Sequence, residues 1–145
     1  MLEVNSLNTF YGKAHILFDL TFEVQAGEIV ALIGRNGAGK TTLFKTIMNL
    51  VPADSGKISF KHQSIYHLPS YKISKLGLGY APEDRRIFTN LTVMENLEAG
   101  KQPARRDFKP WTPERLFELF PNLAERRHQD GGTLSGGEQQ MLTIA

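Results

Sequence analysis

The stretch that most constrains this chain runs from Gly34 to Thr42 and reads Gly-Arg-Asn-Gly-Ala-Gly-Lys-Thr-Thr. It fits the pattern G-x-x-x-x-G-K-[ST], in which a glycine-rich turn joins a strand to a helix. Glycine permits unusual backbone dihedrals and leaves no side chain between the backbone and a ligand. The backbone N–H groups then converge at the positive end of the following helix, which favours an anion. The stretch therefore predicts a phosphate-binding loop.

The residues on either side of this loop fit the same arrangement. Ile29–Ile33 is a continuous apolar run, which is typical of a strand buried on both faces of a parallel sheet. After the loop, Leu43, Ile47 and Val51 recur at helical spacing, and Pro52 ends the pattern. We therefore predict a strand, a loop and a helix in that order. A glycine-rich turn with no ligand is the alternative.

Composition limits the classes of protein to which the chain can belong. Its 145 residues suit one domain, and 41% hydrophobic with 22% charged residues is ordinary for a globular chain. A net charge of +2 is too small to argue for a nucleic-acid partner, and the absence of cysteine excludes a disulfide framework or a thiolate metal site. No signal peptide and no transmembrane stretch is visible, so we expect any membrane role to be exercised from the surface.

The first half of the chain reads as strands around this loop. Alternating patterns near Leu2–Leu7 and Phe18–Gln25 predict an antiparallel β flap on an α/β core. Further strands are predicted at Lys57–Phe60 and Leu78–Ala81, with a short helix over Pro69–Leu76 between them.

The second half is more charged and reads as helices. Thr92 and Glu95 form a capping box at the start of one helix, and Thr112 can cap a second. Pro121 is expected to stop that second helix, and Lys101–Lys109 reads as a polar basic loop. Residues 84–133 therefore predict a helical insert.

A second motif, Leu134–Gln140, reads Leu-Ser-Gly-Gly-Glu-Gln-Gln and opens a helix with another capping box. It resembles the signature motif of ABC-type ATPases, and it follows the glycine loop in the order which that family shows. The resemblance implies an α/β P-loop NTPase core with an antiparallel β flap and a helical insert. In the family this motif contacts the γ-phosphate of ATP bound to the opposite subunit. The residues implied here are Ser135, Gly136, Gly137 and Glu138.

The resemblance also implies ATP and Mg²⁺ as ligands. Tyr11 matches the family's aromatic residue that stacks on adenine. Lys40 is expected to reach the β- and γ-phosphates, and the Thr41 hydroxyl is expected to bind Mg²⁺. Glu83 is a second candidate metal ligand, because it stands where the family usually has a glutamine. The expected ATP-binding residues are Tyr11, Gly34, Asn36, Gly37, Gly39, Lys40, Thr41 and Thr42.

One branch of the family is favoured by the segment Pro82–Leu97, which resembles the ATPase subunits of branched-chain amino acid importers (the Liv type). The urea-importer ATPase ranks second, because it usually keeps the glutamine that Glu83 replaces. The resemblance implies a head-to-tail dimer with a second ABC ATPase subunit, two transmembrane permease subunits and, indirectly, an external solute-binding protein. It places the chain peripherally on the cytoplasmic face of the plasma (inner) membrane. Arg85 and Arg86 are read either as a solvated face or as partner contacts.

The family's domain continues past the signature helix into an apolar strand that ends in Asp-Glu, and a histidine follows later. This sequence stops at Ala145 within that helix. We therefore expect one truncated domain over residues 1–145, comprising a flap and core (1–83), an insert (84–133) and the signature segment (134–145). Its core sheet would be incomplete, no catalytic Glu or switch His would be present, and full ATPase activity is not expected from these residues alone. A non-catalytic nucleotide-binding remnant and a soluble ABC protein outside transport are the alternatives.

Overall fold

A computed structural model describes residues 1–103 and 109–145 of the chain. The fold is mixed α/β and divides into two compact units, Met1–Tyr80 and Ala81–Ala145. We refer to these as the first unit and the second unit. Residues 104–108, part of the predicted basic loop, lie outside the described residues. Among the described residues, no helix has both the length and the apolar character needed to cross a membrane.

The first unit is built on an antiparallel sheet with the strand order β2-β1-β3-β4. Strand β1 pairs with both β2 and β3, so Leu2 lies opposite Val24 on one side and Phe60 on the other. Alternating apolar residues turn one face of the sheet inward, as the sequence predicts for the β flap. The strands are β1 (Leu2–Tyr11), β2 (Ala14–Val24), β3 (Ser55–Phe60) and β4 (Gln63–Ser64).

Two helices complete the first unit, α1 (Lys40–Ile47) and α2 (Ser70–Leu76). Gly77, with φ of 102°, ends α2, since glycine adopts this backbone conformation without strain. The hydroxyls of Thr9 and Thr46 share a buried hydrogen bond of 3.3 Å between β1 and α1. The buried core of the first unit consists of Val4, Leu7, Leu17, Leu43, Ile47, Met48, Ile58, Phe60, Ile65 and Ile73.

The buried strand predicted at Ile29–Ile33 is absent, and this prediction is wrong. The side chains at its two ends, Ile29 and Ile33, are 98% and 91% exposed. A strand exists only where a neighbour accepts and donates its backbone hydrogen bonds. No strand in the described part of the chain pairs with this segment. The apolar run indicates that the segment favours burial, but none of the described strands pairs with it.

The strand predicted at Leu78–Ala81 is wrong for the same reason, because no described strand lies beside it. Leu78 and Tyr80 nevertheless pack against the core of the first unit. Helix α1 is also shorter than its pattern predicts. It ends at Ile47, and Asn49 just beyond has φ of 50°, which a continuing right-handed helix does not allow.

The second unit is helical, as predicted for residues 84–133. Pro121 begins a helix as well as following one, because proline suits the first helical position. Val93, Leu97, Leu116, Leu123, Leu134 and Leu142 form the buried core of this unit. Its helices are α3 (Val93–Gly100), α4 (Pro113–Leu119), α5 (Pro121–Glu125) and α6 (Gly136–Ile144), with a 3₁₀ turn at Gly131–Thr133 before α6.

Candidate nucleotide-binding site

The glycine loop enters α1 through backbone that only glycine adopts easily. Gly37 has φ of 82°, and Gly39, the N-cap of α1, has φ of 87°. A β-carbon on Gly39 would lie 3.0 Å from Leu17 Cδ2 and 3.3 Å from Ile16 Cγ2. Gly39 is therefore required both for its dihedral angle and for the close approach of the loop to β2.

Lys40 folds back over the loop that precedes it. Its ammonium donates to the carbonyl oxygens of Gly34 at 2.7 Å and of Arg35 at 2.8 Å. The loop is further closed by the Ala38 N–H, which donates to the Arg35 carbonyl at 3.1 Å. An ammonium has three N–H donors, so one remains for a ligand after these two bonds. A positive charge is thus held at the mouth of the loop.

The N-terminus of α1 differs from those of α3, α4 and α6 in the second unit. Across the described residues, no side chain caps α1, whereas Thr92, Thr112 and Ser135 cap α3, α4 and α6. The N–H groups of a first helical turn have no partner within the helix. Those of α1 are therefore free to bind an anion, and the helix dipole adds to the attraction.

The other residues predicted to bind nucleotide lie in the same unit. Tyr11 ends β1 opposite Ala14, and its ring is 48% exposed, so an aromatic face is available to a ligand. Asn36 is exposed in the loop, and Thr41 is exposed on the first turn of α1, while Thr42 is buried. The structure thus gathers the loop residues at the start of α1, and the role of Tyr11 in adenine stacking stays a prediction.

The two candidate Mg²⁺ ligands lie in different units. Thr41 is in the first unit, and Glu83 is exposed in a turn of the second. Hydroxyl and carboxylate oxygens both belong to the donor set that Mg²⁺ prefers, so their chemistry fits the ion. Their joint use of one metal ion stays a prediction.

The signature motif is held by its own side chains. The Ser135 hydroxyl accepts from the Glu138 N–H at 3.3 Å, and the Glu138 carboxylate accepts from the Ser135 N–H at 2.8 Å. Arg126 adds an ion pair to Glu138 at 2.8 Å. The hydrogen bonds from Ser135, with a smaller contribution from Arg126, lower the pKa of Glu138 below its ordinary value. The capping box predicted for this motif is confirmed.

Arg85, interpreted from the sequence as part of a solvated face or as a partner contact, lies against this motif. Arg85 donates from Nη1 to Gln139 Oε1 at 3.4 Å, and a β-carbon on Gly136 would lie 2.8 Å from the same Nη1. The two contacting segments are about 50 residues apart in the chain. No local pattern in the sequence therefore indicated the contact.

Comparisons with known proteins point to one family. The family model described as ABC transporter matches residues 17–145. The chain is 45% identical over 144 residues to the high-affinity branched-chain amino acid transport ATP-binding protein BraG of Pseudomonas aeruginosa. That match covers 99% of this chain and 62% of BraG. The chain is 38% identical to the lipopolysaccharide export system ATP-binding protein LptB of Haemophilus influenzae, covering 100% of this chain and 61% of LptB.

Solved structures agree with this assignment. The structure of an ATP-binding subunit of an ABC transporter superposes with a TM-score of 0.82 at 31% identity, covering 99% of this chain and 60% of that one. The chain spans about three fifths of the length of the curated relatives it matches. The fold class predicted from the sequence is confirmed by this superposition. The match over residues 17–145, together with these identities, shows that the chain belongs to the ABC transporter family.

Proposed function

We propose that this chain binds ATP with Mg²⁺ through Gly34–Thr42 and acts as the ATP-binding subunit of an ABC importer for branched-chain amino acids. The observation that carries the proposal is the start of α1, where Gly39 packs against β2, Lys40 places an ammonium over the loop, and no described side chain caps the helix. A triphosphate supplies the negative charge that such a site attracts. A bare glycine turn needs neither the lysine nor the close packing.

Each residue has a distinct proposed role. The first-turn N–H groups of α1 and the third N–H of Lys40 hold the β- and γ-phosphates, and the Thr41 hydroxyl binds Mg²⁺. Gly34, Gly37 and Gly39 allow the backbone to approach, with Asn36 and Thr42 completing the loop. Tyr11 stacks on adenine. When bound, ATP would supply the γ-phosphate that the signature motif of a second copy contacts.

The signature motif is proposed to act on a second copy. Two ATP-binding subunits would associate head to tail, each placing Ser135, Gly136, Gly137 and Glu138 against the triphosphate held by its partner. Closure of this dimer would drive two transmembrane permease subunits, to which an external binding protein delivers the solute. We place the chain peripherally on the cytoplasmic face of the membrane. Hydrolysis by these residues alone is not part of the proposal, because no catalytic base is assigned to them.

The choice of solute rests on two supports. Identity is higher to BraG, at 45%, than to LptB, at 38%. The segment Pro82–Leu97 also resembles the Liv branch, with Glu83 where other branches have glutamine. The similarity to LptB favours a role in lipopolysaccharide export as the second candidate. A urea or amide importer and a non-catalytic remnant are the remaining alternatives.

The binding proposal is tested by titrating ATP and Mg²⁺ into the purified chain in a calorimeter. Replacing Lys40 with alanine removes a charge-assisted contact, so we expect the affinity for ATP to fall about 100-fold. Lys45→Ala is the matched control, because Lys45 lies on the same helix in its last turn. Equal affinities for the two variants, or no binding by the unmodified chain, would overturn the proposal.

The transport proposal is tested in cells of the source organism after deletion of the gene. Uptake of labelled leucine should fall, and it should return with the wild-type gene but not with the Lys40→Ala variant. Labelled urea serves as the comparison solute. Loss of urea uptake with unchanged leucine uptake would support the urea importer instead. Unchanged uptake of both solutes would exclude a role of this chain in importing either one.

A further inference from the structure

Arg85 lies over the bare face of Gly136 in the signature motif. A β-carbon built on Gly136 would lie 2.8 Å from Arg85 Nη1, 3.1 Å from Cζ and 3.3 Å from Nη2. The whole guanidinium therefore occupies the space that any other residue at position 136 would need for its side chain. The same Nη1 donates to Gln139 Oε1 at 3.4 Å, one turn along α6.

The backbone that carries Arg85 is fixed rather than loose. Arg85 has φ of 51°, its N–H donates to the Pro82 carbonyl at 3.3 Å, and its carbonyl accepts from the Ile87 N–H. Asn96, 91% buried, then holds Phe88 by accepting from its N–H at 2.8 Å and donating to its carbonyl at 2.9 Å. The segment that contains Glu83 is thus connected to α3 through Asn96 and to α6 through Arg85.

Gln139 extends the contact to the other flank of the signature motif. Its Nε2 donates to the Gly131 carbonyl at 3.2 Å, in the 3₁₀ turn that precedes the motif. A chain of contacts therefore runs from Arg85 through Gln139 to Gly131, and Leu134–Gly137 lies between Gly131 and Gln139 in the sequence.

Charge alone does not account for the position of Arg85. The N-terminal end of a helix carries a partial positive charge, which disfavours a cation beside it. Packing on Gly136 and the hydrogen bond to Gln139 hold the guanidinium there instead. The neighbouring Arg86 behaves differently, since it pairs at 3.0 Å with Asp84 in its own turn. Two adjacent arginines thus face different partners, and only the first contacts the signature motif.

We propose that Arg85 is a positioning residue that holds the Gly136 and Gly137 amides in one conformation and links the Glu83 turn to the signature motif. The inference rests on the proposed function, because it assigns these amides to the triphosphate of a second copy. A side chain at position 136 would displace the Arg85 guanidinium from this place. The contact also gives the Glu83 turn a direct mechanical connection to the first turn of α6.

The first test measures amide hydrogen exchange across Ser135–Gln139 in the 145-residue chain without nucleotide. Arg85→Ala should speed exchange in this segment about tenfold, the effect expected from losing one charge-assisted hydrogen bond. Arg86→Ala is the matched control and should leave exchange unchanged. Equal exchange in the two variants would overturn the proposal, whether or not the chain binds ATP.

The second test follows ATP-dependent self-association by analytical ultracentrifugation. Arg85→Ala should weaken association about tenfold while ATP affinity at the glycine loop, measured by calorimetry, changes less than about twofold. Arg85→Lys keeps the charge and a donor, so it should recover most of the association. A fall in melting temperature with unchanged association would show a merely structural role and would overturn the proposal. Absence of ATP binding by the unmodified chain would overturn the proposed function, and the exchange test would still decide the positioning role.

A double-mutant cycle isolates the contact itself. Gly136→Ala should displace the guanidinium and speed exchange at Ser135–Gln139 when Arg85 is present. In the Arg85→Ala background the same substitution should add less than about twofold, because the group it displaces is gone. Independent, additive effects of the two substitutions would contradict a direct contact.

Discussion

Helices α1 and α6 both begin at glycine-containing motifs, but the two starts are built in different ways. At α1 the N-cap is Gly39, within the described residues no side chain binds the first-turn N–H groups, and a lysine lies over the loop. At α6 the N-cap is Ser135, and its hydroxyl and Glu138 satisfy donors on both sides of the cap. The first-turn N–H groups of α1 are available to an anion, whereas the N-terminus of α6 is already stabilised by its capping box. This difference agrees with the proposed function, in which the glycine loop holds a triphosphate with free donors and the signature motif presents only two amides.

The contacts that stabilise the segments beside the two motifs, which we call their supports, also differ. The glycine loop rests on apolar packing of Gly39 against β2. The turn beside the signature motif rests on Asn96, which donates to the carbonyls of Phe88, Leu91 and Thr92 and accepts from the Phe88 N–H. Loss of each support should therefore destabilise a different unit and by a different mechanism.

The largest effect is expected for Asn96→Ala. It leaves the N–H of Phe88 and the carbonyls of Phe88, Leu91 and Thr92 without this partner, which should lower the free energy of unfolding of the second unit by about 3 kcal/mol. Amide exchange resolved by unit checks this, because protection should fall in α3 and α6 while β1 and β3 stay protected. Equal loss of protection in both units would contradict separate supports.

Gly39→Ala should have the next largest effect, this time on the first unit. The alanine must adopt φ of 87° and lies 3.0 Å from Leu17, so we expect a cost of about 2 kcal/mol. Gly37→Ala is the matched control, since φ there is 82° but nothing lies within 4 Å of the added carbon. Urea unfolding of both variants should show a smaller cost, about 1 kcal/mol, for the control. Equal costs would mean that packing against β2 contributes nothing.

Ser135→Ala should cost less, about 1 kcal/mol, because it removes one N-cap. For a 65-residue unit this corresponds to a fall in melting temperature of roughly 4–8 °C. Calorimetry of the variant beside Ser70→Ala, which lies on α2 where no side chain caps the helix start among the described residues, measures the difference. A similar small change for both serines would show that the capping box does not support α6.

The smallest effect concerns acid. The pKa of Glu138 is lowered in the folded chain by its bonds to Ser135 and by Arg126, and the pKa of Glu95 is lowered by its bonds to Thr92. Their stabilising contribution is therefore complete above the ordinary value of 4.5 and is lost as pH falls through the lowered folded pKa. The free energy of unfolding of the second unit should therefore decrease as the pH is lowered from about 5 through the lowered pKa values of these two carboxyl groups.

Glu138→Gln sharpens this test, because it removes the titrating group. The variant should be less stable than the wild type at neutral pH and should change less between about pH 5 and 3. Glu125→Gln, on the exposed surface of α5, is the control and should keep the pH dependence of the wild type. A Glu138→Gln profile parallel to that of the wild type would contradict the assignment.

The sequence predicted most of the local structure and failed where a partner was required. The capping boxes at Thr92 and Ser135 were predicted correctly, because the residues that form them are three positions apart. The strands predicted at Ile29–Ile33 and Leu78–Ala81 were wrong, because a strand needs a neighbour that no local pattern contains. Pro121 was read as a stop, although it also starts α5. The roles predicted for Tyr11 in adenine stacking and for Glu83 in metal binding stay predictions.

The two motifs and the helix caps could be identified from the sequence, since each depends on residues within a few positions of one another. The motifs were sufficient to identify the family, which the comparisons confirm. The contacts of these motifs with residues from distant parts of the chain became visible in the folded structure. The packing of Gly39 on Leu17 and of Arg85 on Gly136 joins segments about 20 and about 50 residues apart. Such contacts depend on how the chain folds back on itself, so the hydrophobic periodicity of the sequence does not predict them.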